Sequence, residues 1–241
     1  MKIRAAVMVA TKTPKPYSQS CPIEVVEIDL DPPSEGEVLV EVKAAGVCHS
    51  DLSTIEGIRP RPIPNVPGHE AAGIVREVGP NVSGLEVGDH VVMVFVMSCG
   101  ECRECSGGRP NLCSSSMVAK SKGELAAGGR RLHMEGGVLN HAAGISCFAE
   151  YAVVDQRSVV KVPKDVPLED AAVFGLGGVG LNAVMAGAIA GAEPLIAVDV
   201  HDEKLSLALE LGAAHAVNAS SPRVIEVIKG LSNGGVHHAF D

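Results

Sequence analysis

The sequence predicts an α/β chain with an all-β part: short strands in front, then a doubly wound parallel sheet. Three observations predict it. Residues 1–165 carry Val-rich runs broken by Gly, Pro and Asp. Residues 166–241 alternate strand-like and helix-like runs. A glycine cluster, GLGGVG, stands where the first strand of the second part would turn into a helix. β-branched runs cut by turn residues fit short strands, and strand–helix alternation implies parallel pairing.

In the first part the expected strands are 24–30, 37–45, 71–78, 89–96, 150–154 and 159–162. Residues 114–147 contain six glycines and read as a surface excursion. Prolines at 60, 62, 64 and 67 exclude a helix or central strand from 59–67. The boundary is placed in KVPKDVPLED, between Pro163 and Pro167. Beyond it, 171–174 reads as a buried strand, 181–192 as a helix and LIAVD (195–199) as a second strand. The stretch 202–211 is an amphipathic helix ended by Gly212, and 215–218 a third strand. Ser221 and Pro222 read as the N-cap and first position of a helix through Lys229, and VHHAFD starts a fourth strand. The uncharged stretch 171–192 is not read as a membrane span, because its glycines break one long helix.

Composition excludes some functions. Twenty Lys+Arg against 29 Asp+Glu give a net charge of −9, unsuited to gripping a phosphate backbone. Aromatics are 2% with no Trp, which leaves little for base stacking. The amino terminus has no secretory pattern, and seven cysteines are an odd number. Together these point to a reducing cytoplasm and against a disulfide framework. No nucleic-acid or membrane partner is expected.

Cys99, Cys102, Cys105 and Cys113 are separated by two, two and seven residues, in a lobe spanning 97–114. Four thiolates at such spacing close a tetrahedron round Zn²⁺ and leave no open position, so the site would be structural. Unligated thiols, an iron–sulfur cluster and a nucleic-acid zinc ribbon are the competing readings. The last spacing departs from ferredoxin patterns, and the ribbon would want a basic surface. A second constellation joins Cys48 in GVCHSD to His69 and Glu70 in GHEAAG. Thiolate plus imidazole suits zinc. Asp51 is placed to orient the imidazole and Ser50 to pass a proton. Cys21 and Cys147 read as small buried residues.

Gly175, Gly177 and Gly180 satisfy GxGxxG, and Asp199 falls 19 positions after Gly180. Such glycines let backbone approach a pyrophosphate at a helix N-terminus, and the carboxylate accepts from the adenosine ribose. Asp199 would also repel a 2′-phosphate, favouring NAD over NADP.

GVCHSD, GHEAAG, the four-Cys lobe, FAEY, GLGGVG and VDVHDEKL together resemble the zinc-dependent alcohol dehydrogenases of the medium-chain dehydrogenase/reductase family, over essentially the whole chain. The resemblance implies a GroES-like catalytic domain, 1–165, and a Rossmann NAD-binding domain, 166–241. Their reaction moves a hydride between an alcohol or aldehyde and NAD. It implies Cys48 and His69 as catalytic zinc ligands, Asp51 as orienter, Ser50 as relay hydroxyl and Glu70 as an acid beside the metal. His49 would meet the cofactor pyrophosphate, with Gly178 and Val179 in the glycine turn and Asp199 and Lys204 at the ribose. Ser53 stands where many members place a relay His.

Two departures accompany the resemblance. The block holding a third Cys ligand is missing between LEDAA and VFGLGGVG, so zinc should be held more loosely and catalysis impaired unless Glu70 or Cys147 moves in. The later Rossmann strands, including those that form dimers in related enzymes, are not present. The expected substrate is a small alcohol or aldehyde. The alternatives are oxidation of a formaldehyde–thiol adduct and a non-catalytic zinc- and nucleotide-binding fragment.

Overall fold

The computed structural model describes residues 1–96, 98–164, 171–236 and 238–240. The chain divides into two compact units, Met1–Val162 and Pro163–Asp241. The expected boundary between 165 and 166 lies outside the described residues, as do Met97, Pro167, His237 and Asp241.

The first unit holds β1 (Lys2–Met8), β2 (Ile23–Leu30), β3 (Glu37–Gly46), β4 (Asn65–Val66), β5 (Glu70–Val78), β6 (His90–Met93), β7 (Leu132–Met134), β8 (Gly137–His141), β9 (Tyr151–Asp155) and β10 (Val159–Val162). Its helices of interest are α1 (Tyr17–Ser20), α2 (His49–Ile55), α3 (Arg103–Ser106) and α4 (Ser114–Lys122). Strands β1-β2-β7-β8-β4 close into a barrel, and β10-β6-β5-β3-β9 form a second sheet. Period-two burial in β1 (Ile3, Ala5 and Val7 inward) builds the barrel core with Ile28, Leu30 and Leu132. Val38, Val40, Val75, Val91 and Val154 fill the second core.

Two sequence expectations fail here. Residues 114–147 are not a surface excursion: they supply α4, β7 and β8. Leu125, Leu132 and Leu139 from this segment are fully buried. Three leucines spaced by seven, with glycine turns between, are what fold it inward. The proline-rich stretch does reach a strand, since β4 lies between β1 and β8. It is two residues long, begins after Pro64, and asks no proline for a ladder hydrogen bond.

His141, at the end of β8, is buried and neutral. Burial, then the nearby Arg131 and Arg130, push its pKa down to about 3. Its Nε2 accepts from the Arg131 amide at 3.1 Å, while Nδ1 has no partner. The unfolded chain takes up this proton near pH 6.5 and the folded chain does not until about pH 3. Stability therefore falls with acidification across that window, by up to about 1.4 kcal/mol per pH unit from this group. His141→Gln, which keeps an acceptor for the amide, is expected to flatten the acid limb in urea melts taken at several pH values.

The second unit is a parallel sheet in the order β13-β12-β11-β14. Its strands are β11 (Ala171–Phe174), β12 (Leu195–Asp199), β13 (His215–Asn218) and β14 (His238–Phe240). Its helices are α5 (Gly178–Ala190), α6 (Asp202–Glu210) and α7 (Val224–Leu231). All five residues of β12 are buried, as expected for the inner strand of a covered parallel sheet. Ser221 and Pro222 precede α7 rather than cap it: Arg223 is the N-cap. Asn218 holds a turn by accepting from the Ser220 amide, and Ser221 Oγ accepts from Arg223 N, which delays the helix. Among the described residues no helix is long and apolar enough to cross a membrane.

Candidate functional site

The four lobe thiols converge. Cys99 precedes α3, Cys102 is its N-cap, Cys105 lies within it, and Cys113 is the N-cap of α4. Their sulfurs lie within 4.8 Å of one another. The Sγ–Sγ separations include Cys102–Cys105 at 3.5 Å and Cys99–Cys105 and Cys102–Cys113 at 3.9 Å. Sulfurs placed ~2.3 Å from a central zinc at tetrahedral angles stand about 3.8 Å apart, so this donor set fits the ion. All four cysteines are free thiols. Backbone amides of Cys102 and Glu101 hold the Cys99 thiol down at about 6, whereas burial pushes Cys105 up to about 11. The Arg157 guanidinium, paired with Asp155, also donates to the Cys99 carbonyl and ties the lobe to the second sheet.

The second constellation forms where α2 meets the start of β5. Cys48, His69 and Glu70 bring a thiol, a ring nitrogen and a carboxylate oxygen within 4.8 Å. Asp51 links the two segments. Its Oδ2 accepts from the Cys48 amide at 3.1 Å, and its Oδ1 lies 3.4 Å from His69 Nδ1. With Nδ1 facing that carboxylate, His69 Nε2 is left toward Ser50 Oγ at 3.2 Å and Glu70 at 3.6 Å. Burial opposes protonation of His69, but Asp51 and Cys48 outweigh it and its pKa is raised.

Cys48, Ser50, His69 and Glu70 line a cavity of about 390 Å³. His49 and Ser53 line it too, with Ser53 Oγ 3.3 Å from His49 Nδ1. Cys147, by contrast, is buried, with its Sγ donating to the Glu70 carbonyl at 3.5 Å. Its thiol is pushed up to about 12, first by burial, which keeps it protonated. Glu70, not Cys147, is the third donor the fold brings in. Cys21 is exposed, correcting the expectation of burial: it ends α1 in the left-handed conformation at a surface turn. Phe95 packs edge-on against His69, with ring centroids 5.4 Å apart, and Arg59, Arg61 and Lys120 complete the wall. Nothing in sequence spacing joins these four to Cys48.

In the second unit, Gly175 has φ +81° and Gly177 is the N-cap of α5. A Cβ on Gly175, Gly177 or Gly178 would meet nothing within 4 Å, so the turn presents open backbone at the helix start. A Cβ on Gly180 would stand 1.9 Å from the Gly175 carbonyl, so that glycine serves strand–helix packing. Val179 lies in the first turn of α5. Asp199 ends β12, its carboxylate accepting from Leu176 N at 2.7 Å and His201 N at 2.9 Å. Lys204 Nζ is 3.5 Å away. The Leu176 amide leads the effects that hold Asp199 below its ordinary pKa.

A closed thiol lobe, an open thiol–imidazole–carboxylate centre and a glycine turn with a following acid define a two-domain, metal-binding dehydrogenase. Residues 34–164 match the alcohol dehydrogenase GroES-like domain and 178–241 the zinc-binding dehydrogenase domain. The chain belongs to the zinc-binding alcohol dehydrogenase family of oxidoreductases.

It is 35% identical to an S-(hydroxymethyl)glutathione dehydrogenase of Synechocystis sp., over all of this chain and 71% of that protein. That alignment runs over 270 positions against 241 residues here, so at least 29 positions of the relative have no counterpart. An NDMA-dependent alcohol dehydrogenase of Amycolatopsis methanolica is 38% identical over 94% of this chain and 66% of its own length. Benzyl alcohol dehydrogenase from Acinetobacter calcoaceticus superposes with a TM-score of 0.63 at 34% identity, covering 99% of this chain and 70% of that one.

Proposed function

We propose that the chain carries the zinc centre and dinucleotide turn of an alcohol dehydrogenase that moves a hydride between a small alcohol or aldehyde and NAD. The observation that carries this reading is the convergence of Cys48, His69 and Glu70 on one cavity with the Ser50 hydroxyl beside them. Residues 1–165 serve as the catalytic domain and 166–241 as the NAD-binding domain. Cys99, Cys102, Cys105 and Cys113 hold a structural zinc, and Cys48, His69 and Glu70 the reactive one. Zinc bound there supplies a Lewis acid that makes an alcohol more acidic, and NAD supplies the hydride acceptor.

The chain's own residues do the rest. Asp51 fixes the His69 ring and the Cys48 backbone together. Ser50 Oγ takes the alcohol proton as it gives up its own, which His49, on the same cavity with Ser53 Oγ 3.3 Å from its Nδ1, receives. In the second unit, Gly175, Gly177 and Gly178 leave room for a pyrophosphate. Asp199, held ionised, accepts from ribose hydroxyls, with Lys204 beside it. Four thiolates on zinc need a reducing compartment, and we place the chain in the cytoplasm. A homo-oligomer is compatible with this reading, although the strands that form dimers in related enzymes are not among these residues. Oxidation of a formaldehyde–thiol adduct is a second reading, favoured by the Synechocystis relative.

The test is metal analysis of the purified chain with alcohol-dependent NADH formation. Two zinc ions per chain and NADH formation are expected. One zinc ion, with NAD bound but not turned over, would make the chain a non-catalytic zinc- and nucleotide-binding fragment.

A further inference from the structure

The cavity beside Cys48 is lined by three cations that form no ion pair with a carboxylate among the described residues. Arg59, Arg61 and Lys120 all border it, and Glu70 is its only acidic wall residue among those described. Among the described residues, no carboxylate lies within ion-pair distance of any of the three. The contrast inside the same unit is sharp. Arg4, Arg76, Arg109, Arg130, Arg131 and Arg157 each sit on an Asp or Glu.

Arg61 and Lys120 are half-buried, not solvated surface charges. Burial leads the effects that lower both their pKa values, followed by repulsion from Arg59 for Arg61 and from Arg61 for Lys120. Asp51 offsets this at Arg61 and Cys113 at Lys120, but both are already engaged, Asp51 with Cys48 and His69 and Cys113 in the four-sulfur lobe. Lys120 Nζ lies over the Phe95 ring at 5.6 Å, and Phe95 packs on His69, so this cation belongs to the wall of the reactive centre. Placing Cys48 and Glu70 on a divalent ion would neutralise their charges there and leave the three cations unbalanced. Half-buried like charges that repel one another are costly unless an anion joins them.

We infer that this cavity selects an alcohol or aldehyde that carries a carboxylate, bound by Arg61 and Lys120 with Arg59 at the rim. The inference rests on the alcohol dehydrogenase reading for the reacting end of the substrate. Guanidinium suits a carboxylate because its planar fork can donate two parallel hydrogen bonds, and a partly desolvated pair is stronger than an exposed one. The Phe95 face gives the carbon chain between the two ends an apolar wall.

The test compares ω-hydroxycarboxylates of increasing chain length with diols of matching length, on the zinc-loaded chain with NAD. The expected result is a higher kcat/KM for the carboxylate at its best length, diminished by added salt. Arg61→Met is expected to lower the carboxylate-to-diol ratio by about tenfold to a hundredfold, the loss of one charge-assisted pair. Lys120→Met should lower it further, and Lys120→Arg should restore it.

A merely structural role would lower both substrates together and leave the ratio unmoved, which would overturn the inference. So would equal use of carboxylates and diols by the unaltered chain. A rise in KM for NAD with an unmoved ratio would assign the cations to the dinucleotide's phosphates instead. If no alcohol is oxidised, the dehydrogenase reading fails by itself. Calorimetric titration with the same carboxylates and diols then decides the inference, with carboxylate-selective binding lost in Arg61→Met supporting it and unselective binding sinking it.

Discussion

A His69→Ala chain is expected to lose alcohol oxidation by about a thousandfold or more and to retain only the lobe's zinc. His69 is the residue through which two segments distant in sequence become one centre. Its Nδ1 faces Asp51 and its Nε2 faces Ser50 and Glu70, so the ring cannot be replaced by a side chain with one polar end. Asp51→Asn should cost less, about tenfold to a hundredfold in metal affinity or activity, because the ring loses its orienting charge but not its donor atom.

The pH dependence has a definite sign. Protonation of His69 is favoured by Asp51 and Cys48 against burial, so its pKa lies above the ordinary value of 6.5. In the metal-free chain this interaction adds stability below about pH 6.5 that disappears as pH rises through the raised pKa. Metal loading runs the other way, since only the neutral ring can ligate. Zinc content per chain, measured after dialysis at stepped pH, should fall on the acid side of that raised value. Unchanged turnover in His69→Ala would remove the proposed centre from the mechanism.

Cys105→Ser is expected to remove the lobe's zinc and to lower stability by on the order of 3 kcal/mol or more. For a chain of this size that corresponds to a fall in Tm of about 6–12 °C. Cys105 is the sulfur that stands 3.5 Å from Cys102 and 3.9 Å from Cys99, so its loss opens the tetrahedron. Its thiol, pushed up to about 11, is protonated at neutral pH, whereas Cys99, held at about 6, is largely ionised. Zinc uptake by the unaltered lobe must therefore displace the Cys105 proton. A pH-stat titration of metal-free protein with zinc should show proton release that shrinks as the starting pH is raised. Uptake without proton release would contradict the four-thiolate assignment.

The legible parts of the fold were those fixed by local pattern. LIAVD reads as a strand because four apolar residues, two of them β-branched, run together up to Asp199, and its inner place in the sheet comes from the structure. The four lobe cysteines were legible because their ligand geometry is written into short spacings. The barrel was harder. β1 lacks a valine run, and β7 and β8 are short and surrounded by glycines, so their burial depends on partners far away in sequence. The cavity wall was illegible for the same reason. Phe95 leaves the end of β6 and Lys120 sits near the end of α4, and only tertiary packing sets one over the other. Cys48 and His69 were found through their flanking motifs, but the role of Asp51 as a clamp on both is visible only in three dimensions.

Cys113 is both the last sulfur of the lobe and the residue from which α4 sets out. Two turns further along, that helix delivers Lys120 to the opening beside His69. The lobe is thus a footing for one jamb of the doorway, and a chain stripped of its lobe ion should admit charged alcohols less selectively even while its other ion stays seated.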